Sequence, residues 1–428
     1  MVGVGRRKVF DAVALLTAVE RAAPADAMDV LGVRLREDLG ALGSSFLIAD
    51  HSGGCLARFG RKSDGDRPTE RVPIGGTPQG DVLRTQRPAS HALVDRTVVT
   101  APVTARGEAI GVIEVQFPGQ VAGVGSKKVG SADRDIDRLL YEVGAAAHVF
   151  AYAVVLNRRY TDQFEWGRRS TPFQLAAEVQ RRLLPDSFTC EAAQATIAGW
   201  MEPAAMVGGD TFDYTFGRTT LDLSLTDAMG HGLAAALLAT LVVNSLRNVR
   251  REQADADLAS MALRANAVMN RYASPEQFVT GLLLRVDLPD GAVSAVNAGH
   301  VPFYWVRDGR VRYVRCPADP PFGIFPDSSY AIRHLQLRPG DRLLLVTDGM
   351  IDRNAIRVDL PAVLTAGVHL HPRELVQDMT RLVRDACNDQ LDDDATVLCL
   401  DWHRGSGLER SVASGADPSL ASASLRRP

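Results

Sequence analysis

The spacing of apolar residues changes character several times along the chain. Between residues 26 and 117 it predicts a small mixed region, an amphipathic helix followed by short strands such as 45–49 and 109–117. The charged stretch 60–68 breaks this pattern as a loop, and the glycine- and valine-rich stretch 120–130 reads as a connection. A long helical pattern then covers about residues 132–159, with a break near Gly167. Thr171 and Pro172 form a helix start, with the hydroxyl as cap and the proline in the first turn. Leu175, Val179 and Leu183 then recur every four residues as one apolar stripe, and Pro185 ends it. From 189 to 402 the pattern alternates strands with two or three helices. Leu221, Leu223 and Leu225 interleave with Asp222, Ser224 and Thr226 as a half-buried strand, and 281–286 and 292–296 flank a Pro289-Asp290-Gly291 turn. The runs 343–346 and 395–400 complete an antiparallel sheet region with helices packed outside. After His403 the composition turns to serine, glycine and alanine and predicts disorder.

Composition narrows the class. The chain has 428 residues, 46% hydrophobic and 23% charged, with a formal net charge of -3. It is long enough for two or three domains and lacks the basic excess a general nucleic-acid binder needs to neutralise phosphates. The apolar stretch 13–19 is bounded by Asp11, Glu20 and Arg21, and 233–243 is short and alanine-rich. No run reaches about 18 uncharged apolar residues, so no membrane span is expected. The five cysteines, Cys55, Cys190, Cys316, Cys387 and Cys399, form no C-x-x-C pair, which fits a reducing, cytoplasmic setting.

In the N-terminal region the order of helix, strand, loop, V-P-I-G-G, a Q-R-P turn and A-P-V-T-A-R-G-E-A-I-G-V-I-E-V resembles a GAF sensory domain. With that resemblance the expected organisation is a GAF-like domain at 8–155, a helical linker at 156–185, a larger domain at 186–402 and a disordered tail at 403–428. The connector helices, each with an apolar stripe, are suited to pairing in a homodimer and to passing a signal by rotation. A plain packing role accounts for any one such helix equally well.

Four aspartates stand where a strand ends or a turn begins: Asp210 in V-G-G-D, Asp227 in T-D-A-M-G-H-G, Asp348 in V-T-D-G and Asp393 in D-D-D-A-T. Each alone fits a solvated turn or a helix cap. Together they imply more. Carboxylates gathered at one end of a sheet stay ionised only with cations among them, and hard oxygen donors select magnesium or manganese over zinc. A water between two such ions is a nucleophile for phosphorus, with no protein nucleophile required. Gly208 and Gly209 before Asp210, and Gly230 and Gly232 around His231, allow close backbone approach, although Gly230-His231-Gly232 also fits a tight turn into a helix near Leu233. His231 reads equally as a structural residue, and His300 in N-A-G-H reads as a turn residue or a neighbour of the ligands.

The ordered series E-V-Q-R-R-L-L-P, M-V-G-G-D-T-F-D-Y, T-D-A-M-G-H-G-L-A-A-A, F-V-T-G-L-L-L, V-N-A-G-H-V-P, G-D-R-L-L-L-V-T-D-G-M-I-D and D-D-D-A-T resembles the PPM-type protein serine/threonine phosphatases of the bacterial SpoIIE and RsbU branch. The resemblance implies an α+β fold, an αββα sandwich of two antiparallel sheets flanked by helices, with two Mn2+ or Mg2+ ions in the site. Carried over, the metal ligands are Asp210, Asp227, the carbonyl of Ala228, Asp348 and Asp393, with Asp394 in the adjoining position and the register among Asp392, Asp393 and Asp394 open by one. Asp213 occupies the family's second acidic position in its motif. Ala228 and Met229 depart from the usual residues before G-H-G, and Asp352 replaces a common glutamate. No phosphate-gripping arginine is identified.

The resemblance further implies a phosphorylated anti-sigma-factor antagonist as substrate, with a small-molecule or protein signal at the GAF-like domain. Two other readings compete. Gly208-Gly209-Asp210 is similar to the G-G-D-E-F hairpin of nucleotide cyclases, but Thr211 and Phe212 follow it and the later motifs go unexplained. A catalytically silent scaffold of phosphatase fold would have lost ligand aspartates, and none is lost.

Overall fold

A computed structural model describes residues 9–51, 53–59, 70–119, 132–168, 175–204, 208–253, 255–351, 355, 357–388, 391–404 and 409–423. The expected loop 60–68, the connection 120–130, the Thr171-Pro172 helix start and Asp352 lie outside them. The chain divides into two compact units, residues 1–172 with 411–428, and residues 173–410.

The first unit begins with α1 (Ala12–Arg21) and α2 (Ala27–Leu39), followed by β1 (Gly43–Ala49), β2 (Cys55–Phe59) and β3 (Glu70–Pro73). Then come α3 (Pro78–Thr85), β4 (Ala89–Ala92), β5 (Arg96–Ala105), β6 (Glu108–Pro118), α4 (Ala132–Asn157) and α5 (Gln163–Arg168). Asp11 caps α1 by accepting from Ala14 N, and Thr77 caps α3 with Pro78 at the first position. The strands form one antiparallel sheet in the order β3-β2-β1-β6-β5-β4. On one face Phe46, Ile48, Val99, Ala101 and Ile113 pack with Leu15, Leu31 and Phe150 from α1, α2 and α4. On the other face Leu47, Leu56 and Val112 meet Val82 and Leu83 of α3. This is an α/β domain, and α5, which lies inside the helical linker expected at 156–185 and includes the expected break at Gly167, packs on it with Gly167 against Ile48 and Phe59.

The composition of 403–428 predicts disorder, yet residues 411–423 pack within the first unit, with Ala416 and Ser422 buried. Small side chains that carry little apolar area still allow close backbone contact.

The second unit opens with α6 (Leu175–Leu183), then β7 (Thr189–Glu191), β8 (Ala195–Glu202), β9 (Thr211–Phe216), β10 (Thr220–Ala228), α7 (Gly232–Glu252) and α8 (Leu258–Tyr272). It continues with β11 (Val279–Asp287), β12 (Ala292–Ala298), β13 (Phe303–Arg307), β14 (Arg310–Val314), β15 (Arg333–Gln336), β16 (Arg342–Val346), α9 (Leu360–Ala366), α10 (Pro372–Ala386) and β17 (Ala395–Trp402). Two antiparallel sheets result, β15-β12-β11-β10-β9 and β14-β13-β16-β17-β8-β7. Strand alternation assigns the layers. Leu221, Leu223, Leu225, Leu282, Leu284, Leu343, Leu345, Leu398 and Leu400 fill the space between the sheets. Leu283 and Val296 face α7 and α8, while Leu344, Val397 and Cys399 face α9 and α10. The unit is therefore an αββα sandwich.

β10 departs from its half-buried expectation: α7 and α8 cover its outer face, so Asp222, Ser224 and Thr226 are also buried. Asp222 is accommodated by Arg285, its register partner on β11, at 2.6 Å. The centre of the sandwich sets its stability. Leu398→Ala is expected to destabilise the second unit by about 2–5 kcal/mol, the usual range for an emptied core site. Urea unfolding followed by tryptophan fluorescence checks this, because Trp200, Trp305 and Trp402 all lie in that unit.

Two helices, Asp135–Asn157 and Gly232–Glu252, are long and apolar enough by length and composition to cross a bilayer. Half of each is buried within the fold, and the apolar residues on those faces pack as core.

Candidate metal centre

The antiparallel pairing places both ends of the chemistry together. Asp210 immediately precedes β9 and Asp227 is near the end of its neighbour β10; Asp348 follows β16 and Asp393 precedes its neighbour β17. All four therefore sit at one end of the sandwich. Thr347 ties the two sheets there: its Oγ1 donates to Asp210 Oδ2 at 2.7 Å and accepts from Thr396 N at 3.1 Å.

The electrostatics follow from this crowding. Asp210 is buried, and desolvation, then Asp227 and Asp394, push its acid pKa well above the ordinary carboxylate range. Asp227 is raised to about 7, first by burial and then by the charges of Asp348, Asp393 and Asp394. Each ionised group thus raises the free energy of the others, the condition a bound cation relieves. Among the described residues no three His, Cys, Asp or Glu side chains already close into a single-ion cage. The donor set of carboxylates suits hard divalent ions.

Asp394 differs from its neighbours. Its Oδ1 accepts from Ala204 N at 2.8 Å and Gly208 N at 3.1 Å, and its Oδ2 accepts from Gln180 Nε2. Both oxygens are thereby engaged by the protein, while Asp393 next to it is exposed. Asp393 Oδ1 in turn accepts from Asp394 N at 2.8 Å. The glycines make this arrangement possible: a Cβ on Gly208 would lie 2.8 Å from Asp394 Oδ2, and one on Gly349 would lie 2.1 Å from Asp394 O. Gly209 approaches Ala228 in the same manner, and Ala228 N donates to Gly209 O at 3.3 Å.

The remaining sequence candidates take other places. Asp213 points away from the carboxylate cluster to Arg247 at 2.9 Å and Arg250 at 2.5 Å on α7. His231 is exposed at the N-terminus of α7, where it makes no side-chain cap, and Gly230 and Gly232 have φ of 90° and 71°. His300 is buried beneath the site. Its Nε2 lies 3.2 Å from Val346 O, which can only accept, so that nitrogen carries the proton and Nδ1 accepts from Thr280 Oγ1 at 2.9 Å. Burial lowers its pKa to about 4, so it is neutral and props the strand end that leads to Asp348.

Gln180 was missed in the sequence. It lies on α6, fully buried, and besides Asp394 it donates to Asp210 O at 2.9 Å. Of the expected apolar stripe on this helix Leu183 is buried, Val179 is half-buried and Leu175 is exposed, and Gln180 shares the inward face with Leu183. The nearest sequence signal was its position in E-V-Q-R-R-L-L-P, a polar residue one step off the stripe.

Residues 217–403 match the family model described as stage II sporulation protein E, SpoIIE. Within the second unit, residues 217–403 carry a SpoIIE-type domain. Asp227, Asp348 and Asp393 fall inside the match, and Asp210 lies just ahead of it. Among curated proteins, the chain is 25% identical over 186 residues to phosphoserine phosphatase RsbP of Bacillus subtilis (strain 168), covering 42% of this chain and 45% of RsbP. It is 22% identical over 233 residues to phosphoserine phosphatase RsbU of the same organism, covering 53% of this chain and 69% of RsbU. The chain spans less than half the length of RsbP. Among solved structures, the RsbU and RsbW domains of a Mycobacterium tuberculosis protein share 23% identity with it, over 50% of this chain and 62% of that one, with a TM-score of 0.45. The SpoIIE match thus lies within the second unit, and none of these matches assigns a role to the first.

Proposed function

We propose that the chain is a metal-dependent protein serine/threonine phosphatase, a cytoplasmic signalling enzyme whose first unit is a GAF-like sensor. The observation that carries this reading is the convergence of Asp210, Asp227, Asp348 and Asp393 at one end of the sandwich, with the acid forms of Asp210 and Asp227 favoured by burial and mutual repulsion. Asp210, Asp227, Asp348, Asp393 and the Ala228 carbonyl would hold two Mn2+ or Mg2+ ions, with Asp394 orienting the Gly208 backbone and Asp393 from behind. Bound there, the ions supply Lewis acidity, offsetting charge on the phosphoryl oxygens and making water a better nucleophile. The protein's own contribution is positional. Thr347 fixes the rotamer of Asp210 across the two sheets, Asp394 holds the backbone N–H groups of Ala204 and Gly208, and neutral His300 supports the strand leading to Asp348.

The substrate proposed is a phosphoserine- or phosphothreonine-bearing antagonist of an anti-sigma factor. RsbP and RsbU are named phosphoserine phosphatases, and the four ligand aspartates expected of that branch are all present here. A small-molecule or protein signal at the first unit is passed through the connector helices, in a homodimer, to the second. The sheet order of the first unit and its helices on both faces support the GAF-like reading. The test is phosphate release from phosphoproteins and from a generic phosphate ester by the full chain with manganese. The expected result is hydrolysis that disappears in Asp348→Asn. Folded wild-type protein that releases no phosphate and binds no divalent ion would overturn the proposal in favour of a silent scaffold.

A further inference from the structure

The metal end of the second unit carries an apolar surface that the carboxylates do not use. Asp227 and Ala228 end β10, and Met229 follows them, 45% exposed, with its N–H donating to Phe278 O at 3.1 Å. That bond fixes the Met229 backbone at the strand end, beside the Ala228 carbonyl. The chain then turns into α7, where Leu233 and Leu237, one helical turn apart, are 45% and 53% exposed. Ala235, Ala236, Leu238 and Ala239 between and beyond them are buried, so the helix has its packing face without these two leucines.

Farther along the same face the character changes. Asn244, Asn248 and Arg251 are the exposed residues there. Apolar exposure on α7 is therefore confined to its first two turns, next to the carboxylates, and gives way to polar groups away from them. A face meant only for solvent would be polar along its whole length. Exposed apolar residues scattered singly are ordinary, but these stand together at one end of one face.

The place where the surface starts says what covers it. Met229 adjoins the Ala228 carbonyl, so the surface is continuous with the proposed metal centre. A chain whose phosphorylated residue enters that centre has its flanking residues within reach, each extended residue spanning about 3.3 Å. Leu233 and Leu237 are about 6 Å apart along the helix axis. Side chains two apart on one side of an extended segment are separated by about 6.6 Å, so the two spacings match.

We propose that Met229, Leu233 and Leu237 form the docking surface for apolar residues flanking the phosphoserine or phosphothreonine of the protein substrate, held in an extended conformation. Seating apolar side chains there removes both partners from water, which drives the contact. The surface acts through binding and leaves the chemistry to the carboxylates, so it separates a protein substrate from a small ester. The proposal rests on the phosphatase reading and adds a sequence preference to it.

The test uses the full chain with manganese and three substrates. One is p-nitrophenyl phosphate. The second is a peptide with a central phosphoserine and leucine at the second and fourth positions on either side, and the third carries glutamine at those positions. The wild type should show a kcat/KM at least about tenfold higher for the leucine peptide than for the glutamine peptide. Leu233→Gln combined with Leu237→Gln keeps good helix formers on an exposed face. It should bring the two peptides within about twofold of each other, through KM, with p-nitrophenyl phosphate turned over as in the wild type. Leu382→Gln, at a leucine 44% exposed on α10 across the other sheet, should leave the preference intact. No preference in the wild type, or a parallel fall on the ester in the double variant, would overturn the docking surface while the wild-type ester rate upholds the phosphatase reading. A preference that survives in the double variant would overturn it as well, in favour of a second copy of the chain if light scattering shows self-association lost. Folded wild-type protein that hydrolyses none of the three would overturn the phosphatase reading and the docking surface together.

Discussion

Asp227→Asn is expected to abolish metal-dependent phosphate release and, in the absence of metal, to make the protein more stable. The two effects have one origin. Burial and the neighbouring carboxylates raise Asp227 from 3.8 to about 7. Below about pH 4 the acid is protonated in the folded and unfolded chains alike, and its contribution to stability is fully present. As pH rises the unfolded chain gives up the proton first, so the folded state is progressively disfavoured until the folded group ionises near pH 7. A shift of about three units bounds this loss at on the order of 4 kcal/mol. Asparagine at this position carries no proton to lose and removes that slope. The metal-free variant should therefore melt above the wild type at pH 7.5 and alongside it near pH 4. Manganese should raise the wild-type melting temperature and narrow the gap, because a ligand that binds only the folded state stabilises it. Phosphate release should fall by at least about a thousandfold, equivalent to about 4 kcal/mol of transition-state stabilisation. Calorimetric scans at the two pH values, with and without manganese, check the stability half. A variant less stable than the wild type at pH 7.5 without metal would show that Asp227 is paired by the protein rather than held for a cation.

How much of this was legible beforehand depended on the physics behind each signal. The alternating leucines of β10 marked its inner face correctly, since sheet pairing leaves period-two alternation intact. Its outer face misled because Asp222 and Thr226 read as solvated, whereas Arg285 and Thr211, distant in sequence, satisfy them under α7 and α8. The gathering of Asp210, Asp227, Asp348 and Asp393 at one end of the sandwich was legible because strand ends and glycines flank them and motif order located them. Three consecutive aspartates look alike in the sequence, and it took the fold to show that Ala204, Gly208 and Gln180 donate to the oxygens of Asp394. The tail was illegible for a different reason. Composition reports how much apolar surface a segment can bury, and the turn at Ala413–Ala416 docks through backbone and through the absence of side chains at Gly144 and Gly415.

Gln180 offers the sharpest separation between a connector that merely packs and one that sets the site. Its Nε2 faces two acceptors, Asp394 Oδ2 and Asp210 O, which fixes the amide orientation without ambiguity. The end of the same helix is held by Arg247 Nη2, which donates to Leu183 O at 2.6 Å and also grips Asp213 beside β10. Any rotation of α6 must therefore withdraw a donor from the carboxylate group or break an ion-paired anchor. Gln180→Leu keeps much of the volume and removes the donor, leaving Asp394 with its backbone partners alone. Partners of metal ligands typically account for about 10–100-fold in metal affinity or activity, and a loss in that range is expected here, with half-saturation by manganese moving to higher concentration. Gln180→Glu should be worse, because it sets a third carboxylate against Asp394 and Asp210, and its deficit should shrink as pH falls and the added acid is protonated. Unfolding should show a loss of about 1–3 kcal/mol for the leucine variant, from the unpaired oxygen. Manganese titrations of phosphate release at several pH values read all of this at once. Rates and half-saturation within twofold of the wild type, in both variants and at every pH, would make α6 a packing helix and leave any signal from the first unit without its path through Gln180.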